Sequence, residues 1–231
     1  MQICGFQKTT LLDYPGHVAA TVFTGGCNFR CPFCQNGDLV LHASSVPVIS
    51  EEEVLQVLRK RKGILTGVCV TGGEPTLQPD LPRFLDVLKG MGYLIKLDSN
   101  GYRPDVLRSL HERGLLDYVA MDIKSSLQSY GNVAGLAQID LERIRESARF
   151  LMECGLAFEF RTTVVRELHC AEDFHRIGNW LRGEHAFFLQ SYRESEGVIS
   201  PVFSACTREE LEEYLRILRL YIPNASLRGV D

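Results

Sequence analysis

The chain has no apolar run long enough to span a membrane, which argues against a helical membrane protein. Its first residues lack the basic-then-apolar order of a leader, so a cytoplasmic setting is expected. Positive charge is not in excess: 25 Lys and Arg face 29 Asp and Glu, a net charge of −4, so no electrostatic footprint for nucleic acid is present. The short basic cluster Arg59-Lys60-Arg61-Lys62 reads as a solvated helix end complementing the helix dipole. No low-complexity or Pro/Gly/Ser-rich linker divides the 231 residues. The expectation is one unit over 1–231, with an edge element at 1–17, a core at 18–206, and a C-terminal helix and tail at 207–231. Histidines are few, and His17 and His42 stand at no usual zinc-ligand spacing.

Cysteine is what the chain does have. Three of its eight cysteines fall in the run Gly25-Gly26-Cys27-Asn28-Phe29-Arg30-Cys31-Pro32-Phe33-Cys34-Gln35-Asn36. A chain this size can bury a core without covalent staples, so a disulfide framework is not expected. Three soft thiolates on one tight loop can instead hold three corners of a cubane 4Fe-4S cluster. Neither Cys4 nor Cys69 stands at a spacing that would complete the set. The fourth iron would then be open to an outside ligand, which makes a reaction site more than an electron relay. The other five cysteines (Cys4, Cys69, Cys154, Cys170 and Cys206) read as free thiols.

Along the rest of the chain one unit repeats. Short β-branched and apolar runs at Val18–Phe23, Gly67–Thr71, Tyr93–Asp98, Tyr118–Ile123, Phe158–Val165 and Ala186–Gln190 read as strands. Amphipathic segments with recognisable ends lie between them. Ser50 with Glu53 opens a helix to about Lys62, Asp80 and Pro82 open Leu81–Met91, and Pro104 starts one that ends at Gly114. Asp140–Cys154 follows, and Thr207 with Glu210 opens the last helix. Six β/α units predict an α/β fold, a partial (β/α)6 TIM-type barrel with a parallel sheet. Residues before Val18 are expected as a hairpin or strand against an edge. In such folds chemistry collects at the carboxyl ends of the strands. Here those ends carry the cysteine loop, Gly72-Gly73-Glu74-Pro75, Asp98-Ser99-Asn100-Gly101, Asp122-Ile123-Lys124, Arg161 and Gln190-Ser191-Tyr192.

The Cys-x3-Cys-x2-Cys loop with Gly-Gly-Glu-Pro after the next strand resembles the radical S-adenosylmethionine (SAM) superfamily, and within it the glycyl-radical-enzyme activases. Leu12-Asp13-Tyr14-Pro15-Gly16, Phe23-Thr24-Gly25-Gly26-Cys27 and Cys34-Gln35-Asn36 are similar to the activating proteins of anaerobic ribonucleoside-triphosphate reductase. The resemblance runs from about Thr9 to Tyr192. It implies a 4Fe-4S cluster on Cys27, Cys31 and Cys34, with SAM on the open iron. One electron, from flavodoxin or ferredoxin, then cleaves SAM to methionine and a 5′-deoxyadenosyl radical that abstracts a hydrogen atom. It further implies that Gly72, Gly73 and Glu74 receive the SAM ammonium and that Phe33 lies near the adenine. Asp98, Ser99, Asp122, Lys124 and Arg161 would surround the carboxylate and ribose, in some members with a monovalent cation. Asp13 would touch the substrate loop at the barrel mouth. Gln35 and Tyr192 stand where pyruvate formate-lyase activating enzyme has His, and no cysteine-rich insertion follows Cys34.

Three functions follow as expectations. The leading one is abstraction of hydrogen from a glycine of a partner glycyl radical enzyme, first the anaerobic ribonucleotide reductase, otherwise pyruvate formate-lyase or another. The second is a radical SAM enzyme acting on a small molecule, like the deazapurine synthases. The third, a non-catalytic electron-transfer module, has no use for Glu74, Asp98, Asp122 and Lys124.

Overall fold

The computed structural model describes residues 1–229. Eight strands form one sheet in sequence order: β1 (Ile3–Thr10), β2 (Ala19–Thr24), β3 (Gly67–Gly72), β4 (Leu94–Ser99), β5 (Tyr118–Asp122), β6 (Ala157–Val164), β7 (Ala186–Ser191) and β8 (Ala225–Arg228). β1 runs antiparallel to β2, and every later neighbour is parallel. The edges β1 and β8 do not pair with each other, so the barrel is partial and open on one side.

The helices are α1 (Gly37–Leu41), α2 (Glu51–Lys60), α3 (Leu81–Gly90), α4 (Pro104–Glu112), α5 (Tyr130–Val133), α6 (Leu141–Glu153), α7 (Ala171–Trp180) and α8 (Arg208–Arg219). The expected six strands match β2–β7 within a residue at each end, and the expected edge strand is β1. Four elements were not anticipated, two of them the short helices α1 and α5. The helix α7 completes the fifth crossover, from β6 to β7, and part of the expected tail forms β8, a seventh parallel strand. Caps explain the helix starts: Ser50 Oγ accepts from Glu53 N at 3.2 Å, and Thr207 and Glu210 form a reciprocal box that opens α8. Among the described residues no helix is long and apolar enough to cross a membrane.

Alternation along the strands separates two interiors. Ala20, Val22, Val68, Val70, Ile95, Leu97, Val119, Met121, Phe187 and Leu189 are buried with leucines and phenylalanines of the helices in one hydrophobic core. The opposite face looks into the barrel lumen and is polar. Register aligns Thr21, Cys69, Lys96 and Tyr118 as one row, and Asp122, Arg161, Phe188 and Ser226 as another. Charges survive there because they are paired. Glu159, fully buried, accepts from both Arg228 guanidinium nitrogens at 2.7 and 2.9 Å and from the Tyr118 hydroxyl at 3.0 Å. The Arg228 guanidinium lies 3.5 Å over the Phe188 ring. The edge strand β8 is thus fastened from inside the lumen, across β7, to β6.

Candidate functional site

The cysteine loop leaves the carboxyl end of β2 and is held on several sides by backbone bonds. Gly26 N donates to Leu39 O (2.7 Å), Arg30 N to Ala134 O (2.9 Å), and Glu74 N to Gly26 O (2.8 Å). Ile199 N and Ser200 N donate to Cys34 O and Pro32 O at 3.1 and 2.9 Å. So held, Cys27, Cys31 and Cys34 line one cavity of about 250 Å³ at the carboxyl ends of the strands. Phe33, Gly72, Gly73, Glu74, Asp98, Ser99, Asp122, Lys124 and Arg161 line it too, so twelve of the thirteen expected site residues come together.

Asp13 is the exception. It lies in the β1–β2 connection, at the amino ends of the parallel strands, and its Oδ2 accepts from Thr21 Oγ1 at 2.5 Å. It therefore stands at the floor of the lumen, opposite the expected mouth. The five remaining cysteines are free thiols and none lines the cavity.

The two glycines are needed for a reason other than approach to a ligand. A β-carbon on Gly73 would fall 2.0 Å from Gly26 O. One on Gly72, whose φ is +117°, would fall 2.3 Å from Thr24 N. Only glycine lets the end of β3 close against the cysteine loop. Asn36 Nδ2 adds a bond to Gly72 O at 3.0 Å.

Glu74 was expected to face the SAM ammonium; its carboxylate lines the cavity and is at the same time committed to four protein donors. Oε1 accepts from Thr76 N (3.1 Å), Thr76 Oγ1 (2.5 Å) and Ser99 Oγ (2.9 Å), and Oε2 from Asn100 N (2.7 Å). It caps the short turn Pro75–Leu77 and ties the end of β3 to that of β4. Burial raises its pKa, with the four donors working against that shift. Ser99 is likewise committed, donating to Glu74 and accepting from Gly101 N at 3.0 Å.

The charged residues form a chain. Arg161 Nη1 donates to Asp98 Oδ2 at 3.2 Å, Arg161 Nε to Asp122 Oδ1 at 3.0 Å, and Lys124 Nζ to Asp122 Oδ2 at 3.0 Å. Lys96 Nζ donates to Asp98 Oδ1. Burial would raise the carboxylate pKa values. The Arg161 guanidinium, joined by Lys124 at Asp122 and Lys96 at Asp98, outweighs it, so Asp122 is held at about 2 and Asp98 below its ordinary value. Burial lowers the Lys124 and Arg161 values, and the carboxylates reverse this and raise both.

Burial, joined by the Glu74 carboxylate, pushes the Cys27 thiol up to about 12, and burial pushes Cys31 to about 11. A buried thiolate therefore wants a positive partner, which iron supplies. Among the described residues no three His, Cys, Asp or Glu side chains converge on a single metal-ion position. The buried Asn28 Nδ2, next in sequence to Cys27, has no hydrogen-bond partner among the described residues. Asn28 Oδ1 accepts from Asn100 Nδ2 at 2.8 Å, and the same Asn100 nitrogen lies 3.9 Å from Cys27 Sγ. Spare donors beside a thiolate suit a sulfur-rich cluster. On these grounds the donor set fits a 4Fe-4S cluster.

Sequence reasoning passed over Lys96, Asn28 and Asn36. Asn28 and Asn36 carried no signal apart from the loop that holds them. Lys96 did: it interrupts the apolar run Leu94-Ile95-Lys96-Leu97 two residues before Asp98, on the same strand face.

Comparison with known proteins agrees with this geometry. The family model described as Radical SAM superfamily matches residues 21–176. A provisionally named glycyl-radical enzyme activating enzyme of Methanocaldococcus jannaschii is 27% identical over 238 residues, 99% of this chain and 96% of its own. The 7-carboxy-7-deazaguanine synthase of Neisseria meningitidis is 32% identical over 48% of this chain and 45% of its own. Among solved structures, a domain of the pyruvate-formate lyase-activating enzyme from Bacteroides vulgatus covers 71% of this chain and 99% of that one, with 17% identity and a TM-score of 0.58. Streptococcus suis SuiB bound to its precursor peptide SuiA covers 90% and 48%, with 14% identity and a TM-score of 0.68.

Proposed function

Because the chain belongs to the radical SAM superfamily, we propose that it is a glycyl-radical-enzyme activase, taking a hydrogen atom from a glycine of a partner enzyme. Anaerobic ribonucleoside-triphosphate reductase is the first candidate partner. The observation that carries this reading is the likeness to a glycyl-radical enzyme activating enzyme along 99% of the chain. Bound in the cavity, the cluster and SAM supply reductive cleavage and hydrogen abstraction, fed by flavodoxin or ferredoxin in a reducing cytoplasm. The chain supplies the rest. Cys27, Cys31 and Cys34 hold the cluster, the Gly72–Gly73 backbone lines the place of the methionyl ammonium, and Lys124 and Arg161 receive its carboxylate. Phe33 closes the cavity beside the third cysteine against water.

Below the cavity the lumen is polar and the sheet is open between β1 and β8. An extended loop of a partner could enter there, and a glycine suits it, having no side chain to block approach and tolerating a strained backbone. Asp13, at the floor, would meet the part of that loop farthest from the cavity. Anaerobic mixing of the reduced, SAM-loaded protein with candidate partners, read by electron paramagnetic resonance, should give a glycyl doublet.

A small-molecule reaction is the second reading, favoured by the likeness to 7-carboxy-7-deazaguanine synthase over part of the chain. If no partner protein gives a doublet while a metabolite raises SAM turnover, that reading replaces the first.

A further inference from the structure

Lys96 is a lysine side chain inside the barrel, 2% exposed, on the lumen row between Cys69 and Tyr118. Its ammonium donates to Asp98 Oδ1, with Cys69 Sγ 3.8 Å away on the other side. Asp98 Oδ2 is taken by Arg161, Asp122 Oδ1 by Arg161 again, and Asp122 Oδ2 by Lys124. All four carboxylate oxygens thus already meet a resident cation, and three positive side chains stand against two negative ones.

A monovalent cation of the kind the family resemblance implies does not fit this donor set. It would need oxygen lone pairs turned toward one point, and its charge would be added to a group already positive. We propose that Lys96 is a built-in replacement for that ion. Its ammonium holds Asp98 in place from below, and the single surplus positive charge of the group receives an anionic carboxylate from the cavity side. Lys96 is a positioning residue, acting through Asp98. The proposal rests on the radical SAM reading, with the SAM carboxylate as the anion.

The test measures SAM affinity by equilibrium dialysis on reconstituted protein in chloride salts of lithium, sodium, potassium and tetramethylammonium at one ionic strength. Sodium-23 line width serves as a second readout. Wild type should bind SAM equally in all four salts and leave the sodium line unbroadened. Lys96→Met should lose about tenfold in SAM affinity in tetramethylammonium, the loss of one charge-assisted contact. It should regain most of this in sodium or potassium and broaden the sodium line. Lys96→Arg should behave as wild type, because it restores the charge.

A wild type that binds SAM only with one particular ion overturns the proposal. So does a Lys96→Met protein, folded by circular dichroism, whose affinity is unchanged or not rescued by any ion. Should Lys96→Met fail to fold, the wild-type salt series and sodium line decide alone. Failure to bind SAM in every salt would instead remove the radical SAM reading, and this inference with it.

Discussion

Gly73 lies so close to Gly26 that a β-carbon on it would sit 2.0 Å from the Gly26 carbonyl oxygen. Two backbones touch there, and neither can yield as a flexible side chain would. Gly73→Ala should therefore displace the cysteine loop, costing about 1–3 kcal/mol of stability and lowering the iron content after reconstitution. Gly90, at the end of α3, has nothing within 4 Å of its would-be β-carbon. Gly90→Ala should leave iron content unchanged and raise stability by about 0.5–1 kcal/mol. Thermal melts and iron assays on the two variants make the comparison.

Anaerobic reconstitution should load about four irons per chain. Alanine at Cys27, Cys31 or Cys34 should abolish the cluster's visible absorption. Alanine at Cys4, Cys69, Cys154, Cys170 or Cys206 should preserve it, since none of these lines the cavity. Loss of the cluster from one of those five would mean a fourth protein ligand.

Glu74 offers a sharper distinction. With its oxygens accepting from Thr76, Ser99 and Asn100, Glu74→Gln turns an amide N–H₂ toward a donor it cannot satisfy. Stability should fall by about 1–3 kcal/mol in urea, whether or not SAM is present. A variant as stable as wild type but weaker for SAM would mean that the carboxylate faces the ligand after all.

Asp122 should give the protein an acid-sensitive component of stability. Its carboxyl is held at about 2 in the fold, below its ordinary 3.8. A group with a depressed folded value contributes fully above its unfolded pKa and loses that contribution as pH falls toward the folded one. The window is therefore about pH 4 to pH 2. Subtracting the stability–pH curve of Asp122→Asn from that of wild type should leave a slope in that window and a flat line above it.

Arg161 bridges Asp98 and Asp122 through different nitrogens of one planar fork. A lysine carries the charge without the fork. Arg161→Lys should thus retain the fold while weakening SAM binding about tenfold or more, one lost charge-assisted bond. Equal affinity in dialysis would show that charge alone suffices.

Much of this site was legible because parallel strands end where chemistry gathers. The strand ends Gly72-Gly73-Glu74, Asp98-Ser99 and Asp122-Ile123-Lys124 could be read as neighbours before any coordinates. What each residue does there was less legible. A carboxylate after two glycines gives no sign in the sequence of the four protein donors that Glu74 accepts from. Asp13 was assigned to the mouth because a motif carries no sense of which end of the barrel a turn occupies. The helix α7 escaped notice because Gly178 and Asn179 depress helix propensity. Its glycine is explained only by tertiary contact, with Tyr221 2.5 Å from a would-be β-carbon. β8 is four residues long, too short for periodicity to register.

The fastening of β8 bears on the order in which the molecule can be finished. Glu159 and Arg228 are 69 residues apart. At a synthesis rate of about 5–20 residues per second, the carboxylate leaves the ribosome roughly 3–14 seconds before its guanidinium partner. During that interval the lumen holds an acid without its main counter-charge, and the nascent barrel must keep it wet or protonated. Completion of the polar interior thereby waits for Arg228, whose arrival lets β8 seal in.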